Sequence, residues 1–222
     1  MRYAEGYAQV RSLADGRIQT MYVVVLSGGL GAGKSSAAAV MADLGAVVLD
    51  LDTIAKRLLE SNQHVIEAVA MEFPDAVRDD DSIDQRELAR LAYMSAAHTL
   101  KLNAIMHPAV AREVGPALAD LRLLPQAPEV VVLEVPLLVE APVFGEMADL
   151  VVAISAPEEQ RVARAVAAGM SESDARTRVS RQASDREREA MSDRVIENTG
   201  SLDDLRGEVE RVWNEAVKPN AG

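Results

Sequence analysis

Residues 22–36 read Tyr-Val-Val-Val-Leu-Ser-Gly-Gly-Leu-Gly-Ala-Gly-Lys-Ser-Ser. Tyr22–Leu26 is a short, β-branched apolar run, as a buried strand requires, and the glycines that follow break it. The Ala-rich segment Ser35–Leu44 then has the composition of a helix, with Gly45 placed to close it. Between strand and helix, Gly28–Ser35 fits G-x-x-x-x-G-K-[ST] at every fixed position. Amides in such a turn point inward around an anion, and the positive end of the helix reinforces them. Lys34 is expected to reach the β- and γ-phosphates of ATP, and the Ser35 hydroxyl to ligate Mg²⁺. Gly29, Gly31, Ala32, Gly33 and Ser36 complete the expected nucleotide-binding set. An accidental Gly-rich turn would share the letters but not the strand before it and the helix after it.

Working outward, Ala46–Leu49 reads as a second buried strand ending at Asp50-Leu51-Asp52, with a helix over Thr53–Glu60. Further strands are expected at Val130–Leu133, Leu150–Ile154 and Val195-Ile196. Helices are expected over Glu158–Ala168 and from Ser201, where Leu205, Val209, Val212 and Trp213 share a face. Near-continuous apolar strands alternating with helices imply a parallel sheet covered on both sides, a three-layer α/β fold. Residues 62–124 show helical spacing and an acidic turn, Asp79-Asp80-Asp81, which reads as a helical insertion. Ser171–Arg188 is so charged that a solvated helix is the expectation. Residues 1–20 read as an extension with no assigned role, and Met21 before the first strand is a candidate start.

The chain has 222 residues, 49% hydrophobic and 26% charged, which suits one main domain. Its net charge of −12 opposes a nucleic-acid partner, whose phosphates reward a Lys/Arg surplus. A small anionic substrate is still admissible in a local cationic pocket. The absence of cysteine excludes disulfides and thiolate metal sites. No run approaches the roughly 18 apolar residues of a membrane span, and the first twenty residues lack a signal-peptide core. A cytoplasmic monomer with no membrane partner is the expectation.

A base-reading GTPase would need Asn-Lys-x-Asp, and no Asn-Lys dipeptide occurs. A small-molecule kinase remains. Asp50 and Asp52 close the second strand at the carboxyl end of the sheet, where ligands bind. If the strand persists, the two carboxylates share a face. Either can accept a proton or, with Ser35, hold magnesium. Asp52 is equally suited to cap the next helix, and the residues alone leave both roles open. His107-Pro108 lies on a helix, where a lone His is more often structural than a ligand.

On these residues the chain resembles the dephospho-CoA kinase family. Its Gly28–Ser35 loop is similar to that family's Gly-Gly-Ile-Gly-Ser/Ala-Gly-Lys-Ser. Leu44-Gly45-Ala46 with Asp50-x-Asp52-x-x-Ala55 is similar to the Leu-Gly … Asp-x-Asp-x-x-Ala run. Leu102-Asn103, His107-Pro108, Pro136-Leu137-Leu138-Val139-Glu140, Gln182, Asp193 and Asn198-x-Gly200 follow in order, so the resemblance spans Met21 to Trp213. It implies a phosphate-loop kinase domain over residues 21–217, with its core in 21–60, 129–157 and 190–217. The implied reaction is ATP-dependent phosphorylation of the ribose 3′-hydroxyl of dephospho-CoA, the last step of coenzyme A synthesis. The resemblance further implies that Asp52 is the general base and that the insertion, residues 61–124, binds the CoA side through His107 and Pro108. Residues 158–188 would form a lid, and Asn198 and Gly200 would lie near the adenine.

The pattern departs in three places. Ala168 stands where the family has a second lid arginine, leaving Arg164 to approach the transferring phosphoryl group, with Arg161 out of frame and Arg178 and Arg181 as candidates to compensate. Glu134 replaces an Asp, and Ser27 a Thr. These departures keep two alternatives open: another small-molecule or nucleotide kinase on the same scaffold, and a weakly catalytic ATP-binding regulator.

Overall fold

The computed structural model describes residues 11–12, 18–19, 21–136, 138–139 and 141–221. Most of the expected N-terminal extension therefore lies outside the described residues, as do Leu137 and Glu140; within the extension, Arg11–Ser12 pairs antiparallel with Ile18–Gln19. The main sheet has five strands: β1 (Tyr22–Gly28), β2 (Val47–Asp50), β3 (Val130–Glu134), β4 (Leu150–Ser155) and β5 (Arg194–Glu197). Their order is β2-β3-β1-β4-β5, and every pairing is parallel.

The apolar runs are continuous because both faces of the sheet are covered. Val23 and Val25 of β1, with Val131, Leu133 and Val151, face a core built with α2 (Leu51–Ser61), α3 (Gln63–Glu72), α4 (Gln85–Ala92) and α5 (Ala96–Leu123). Val24, Leu26, Val132, Val152 and Ile154 face α1 (Lys34–Asp43) and α10 (Leu202–Val212), where Leu205, Val209, Val212 and Trp213 are buried as their spacing requires. Val23 to Leu26 are wholly inaccessible, which fixes β1 as the centre. Its carboxyl end delivers the glycine loop into the crevice above the sheet.

Three expectations are corrected by the structure. First, the strand does not persist through Asp52: the chain turns helical at Leu51, so Asp50 and Asp52 do not share a strand face. Second, the cap of α2 is Asp50 rather than Asp52; Asp50 Oδ1 accepts from the Asp52 amide at 2.9 Å and Oδ2 from Thr53 Oγ1 at 2.6 Å. Third, the charged stretch is not one solvated helix. It forms α8 (Glu172–Arg181) and α9 (Asp185–Ala190), and Ala175 and Val179 pack with Val162 and Ala165 of α7 (Glu158–Ala167) in a small core of their own. A short α6 (Val143–Glu146), for which the sequence offered no signal, follows β3.

Candidate active site

The phosphate loop gains its character from what it lacks. Helices α2 to α5 and α8 to α10 each begin under a polar side chain: Asp50, Asn62, Asp84, Ser95, Ser171, Ser184 and Ser201. Helix α1 begins at Gly33, which has φ 107° and no side chain to cap with. Its first-turn amides, on Lys34, Ser35 and Ser36, thus have no helical acceptor and gather the positive end of the helix dipole. Glycine is required at position 33 twice over, because its φ is left-handed and a Cβ there would collide with Asn198 Nδ2.

Three side chains hold the loop from outside. Asn198, buried, donates to Ala32 O at 2.8 Å. Arg164 donates to Asn198 O at 2.9 Å and to Gly31 O at 3.4 Å. Gln182 Oε1 accepts from the Leu30 amide at 2.8 Å. Leu30 itself packs on the α7–α8 core, so the tip of the loop and that helix pair form one apolar contact. Gly200 lies in the exposed turn after Asn198, ahead of the Ser201 cap of α10.

On the inner side stand Lys34, Ser35, Glu134 and Asp52. Lys34 Nζ donates to Gly28 O at 3.0 Å. Burial pushes its pKa down; the Glu134 and Asp52 carboxylates oppose that shift, and the Arg188 and Arg161 charges add to it. Ser35 Oγ donates to Glu134 Oε1 at 2.6 Å. Asp50 lies opposite Glu134 in the β2–β3 register. Asp52, in the first turn of α2, keeps an exposed surface, yet burial of part of its carboxyl among protein atoms pushes its pKa up. The like charge of Asp50 adds to the rise, while Lys34 and Lys56 oppose it. These donors are hard oxygens, which suit Mg²⁺. No cluster of three or more metal-ligating side chains occurs among the described residues, and Mg²⁺ is satisfied by few protein ligands when water and phosphate oxygens complete its shell.

Two cations that the sequence did not single out as buried complete the site. Arg161 and Arg188 are each only 4% exposed. Asp185 joins them, at 3.4 Å from Arg161 Nη2 and 2.7 Å from Arg188 Nη2. Arg161 Nε donates to Ala156 O at 3.1 Å, but its Nη1 has no hydrogen-bond partner among the described residues. An unpaired buried donor of this kind costs about 1–3 kcal/mol or more. The available sequence signal was position: Arg161 shares the face of α7 carrying Val162 and Ala165, all three buried. Arg178 and Arg181 do not reach the loop; Arg178 stacks 4.9 Å above the Tyr93 ring and Arg181 donates to Met94 O at 3.3 Å, both in the helical insertion. His107 is half-buried and Pro108 exposed in the middle of α5, on a different element from the loop cluster.

Residues 22–204 match the family model described as dephospho-CoA kinase. The chain belongs to that family. A dephospho-CoA kinase from Corynebacterium diphtheriae is 37% identical over 195 residues, which covers 87% of this chain and 96% of that one. Among solved structures, TT1252 from Thermus thermophilus is 32% identical with a TM-score of 0.71, covering 89% of this chain and 99% of that one. A shikimate kinase from Acinetobacter baumannii, 14% identical with a TM-score of 0.57 over 90% of this chain and 96% of that one, shares the fold alone. Among dephospho-CoA kinases, then, this member sets Gly29 of its loop against two buried arginines, Arg161 and Arg188, and carries Glu134 against Ser35. No helix among the described residues is long and apolar enough to cross a membrane.

Proposed function

We propose that this chain transfers the γ-phosphoryl group of ATP to the ribose 3′-hydroxyl of dephospho-CoA, giving coenzyme A and ADP. One observation carries the chemistry: Asp52, exposed in the first turn of α2, is within electrostatic reach of Lys34 at the uncapped start of α1. The loop amides and Lys34 bind the phosphate chain. Asp52 takes the proton of the acceptor hydroxyl as the new O–P bond forms and the bond from the γ-phosphorus to the β–γ bridging oxygen breaks. Its raised pKa makes it a stronger base than an ordinary carboxylate, and partial loss of solvent around the carboxyl is the main cause.

Ser35 Oγ and Glu134 would hold Mg²⁺, with Asp50 behind them across the strand pair. The ion supplies charge neutralisation on the transferring group. Asn198 and Gly200 take the adenine end of the nucleotide, and Arg164, bonded to Gly31 O and Asn198 O, supports this assignment by tying Asn198 to the loop. From its sequence position Arg164 is also a candidate to meet the phosphoryl group, which would require it to leave both carbonyls. The insertion, with His107 and Pro108, takes the CoA side, and residues 158–188 close as the lid.

A coupled assay of ADP release tests the reading. Release should depend on dephospho-CoA and should not occur with shikimate or nucleosides in its place. Acceptor-independent release, or transfer to one of those acceptors, would overturn it.

A further inference from the structure

The unpaired donor on Arg161 has a direction. A Cβ built on Gly29 would collide with Arg161 Nη1 and would lie 2.9 Å from Arg188 Nη2. Both guanidinium groups therefore rest directly on the second residue of the phosphate loop, and both charges are felt at Lys34. Three cations converge on one small volume, and Asp185 is the carboxylate that clasps the two arginines. Arg188 is engaged by Asp185 and by Ala183 O, whereas Arg161 keeps a donor in reserve. A buried cluster of this charge, with a donor aimed at the loop, is complementary to an anion with several oxygens. By contrast, the Arg164 guanidinium already serves Gly31 O, Asn198 O and Gln160, and Ala168 at the end of α7 offers no charge.

We propose that Arg161 is a catalytic residue of this chain: its Nη1 donates to a phosphate oxygen of the bound nucleotide during transfer, while Asp185 positions it and Arg164 serves the loop edge. The proposal rests on the kinase reading above and deepens it. A nucleotide oxygen on Nη1 pairs the orphaned donor, so closing the lid and binding the phosphates become one event. The hydrogen bond strengthens as charge leaves the breaking bond, so the effect falls on turnover more than on binding.

Arg161→Lys decides the matter, because it keeps the charge and the packed stem but loses the fork that reaches Gly29. In the coupled assay with ATP and dephospho-CoA, kcat should fall by about 10²–10³, the range seen when one oriented donor is removed. KM for dephospho-CoA should stay within about threefold, since the acceptor lies elsewhere. Arg161→Ala should recover part of the lost turnover when guanidinium is added at concentrations that leave the wild type folded and active. Wild-type activity in the same assay separates this test from that of the reaction itself. A Lys variant that melts like the wild type and keeps kcat within about threefold overturns the proposal. So does a loss confined to the KM for dephospho-CoA.

Discussion

At the scale of single residues, Asp52 and Asp50 show how two identical side chains two positions apart divide their work. Asp50 has β-region backbone and both oxygens turned to the start of α2, the geometry of an N-cap. Asp52, freed from capping, lies within electrostatic reach of Lys34. The sequence alone left capping and proton transfer equally open for Asp52, because the spacing fits either a strand end or a helix start. Raising a carboxyl pKa makes the folded state favour the neutral acid, so the fold loses stability as pH rises from the ordinary value of 3.8 through the raised one. Asp52→Asn should therefore melt at a higher temperature than the wild type at pH 7 while kcat drops by about 10²–10⁴. The acid limb of the wild-type rate profile should lie above pH 3.8. Near-normal turnover in the Asn variant would remove Asp52 as base.

At the scale of elements, the sheet was legible and the packing of α7 to α9, the proposed lid, was not. Val-rich strands declare themselves when both faces are buried, and β1, β3 and β4 begin where their apolar runs begin. The lid hides its packing: Ala175 and Val179 are too small and too sparse to outweigh the charges around them, and a buried Arg reads as an exposed one unless its helix face is traced. Contacts from the lid reach in two directions. Leu30, Gln182, Arg161 and Arg164 tie it to the loop, while Arg178 and Arg181 tie it to Tyr93 and Met94 of the insertion. Such a bridge is expected to shield transfer from water. Removing it with Arg178→Ala and Arg181→Ala together should shift stability by less than about 1 kcal/mol, since both groups lie near the surface. ATP hydrolysis relative to transfer should rise several-fold, by about an order of magnitude at most. An unchanged ratio of phosphate release to coenzyme A formed would show that the bridge does not gate water.

At the scale of the molecule, an acidic chain concentrates its cations where the sheet ends. Lys34, Arg161, Arg164 and Arg188 come from α1, α7 and α9, far apart in sequence and joined only by the strand order β3-β1-β4. No window of sequence could display that convergence, and the net charge of −12 conceals it. What the sequence did display was the strand, loop and helix over residues 22–44, the one part of the site whose geometry is local. The acceptor is a different matter, because the same scaffold carries shikimate kinases and fold does not select chemistry.

Everything else depends on that loop holding a nucleotide. Calorimetric titration with ATP·Mg²⁺, without acceptor, addresses it directly, with Lys34→Ala alongside as a variant of unchanged fold. The wild type should give one saturable heat corresponding to one nucleotide per chain, and Lys34→Ala a binding at least about tenfold weaker, as loss of a charged phosphate contact predicts. A folded wild type that gives no heat, or equal heats from both proteins, would contradict the account.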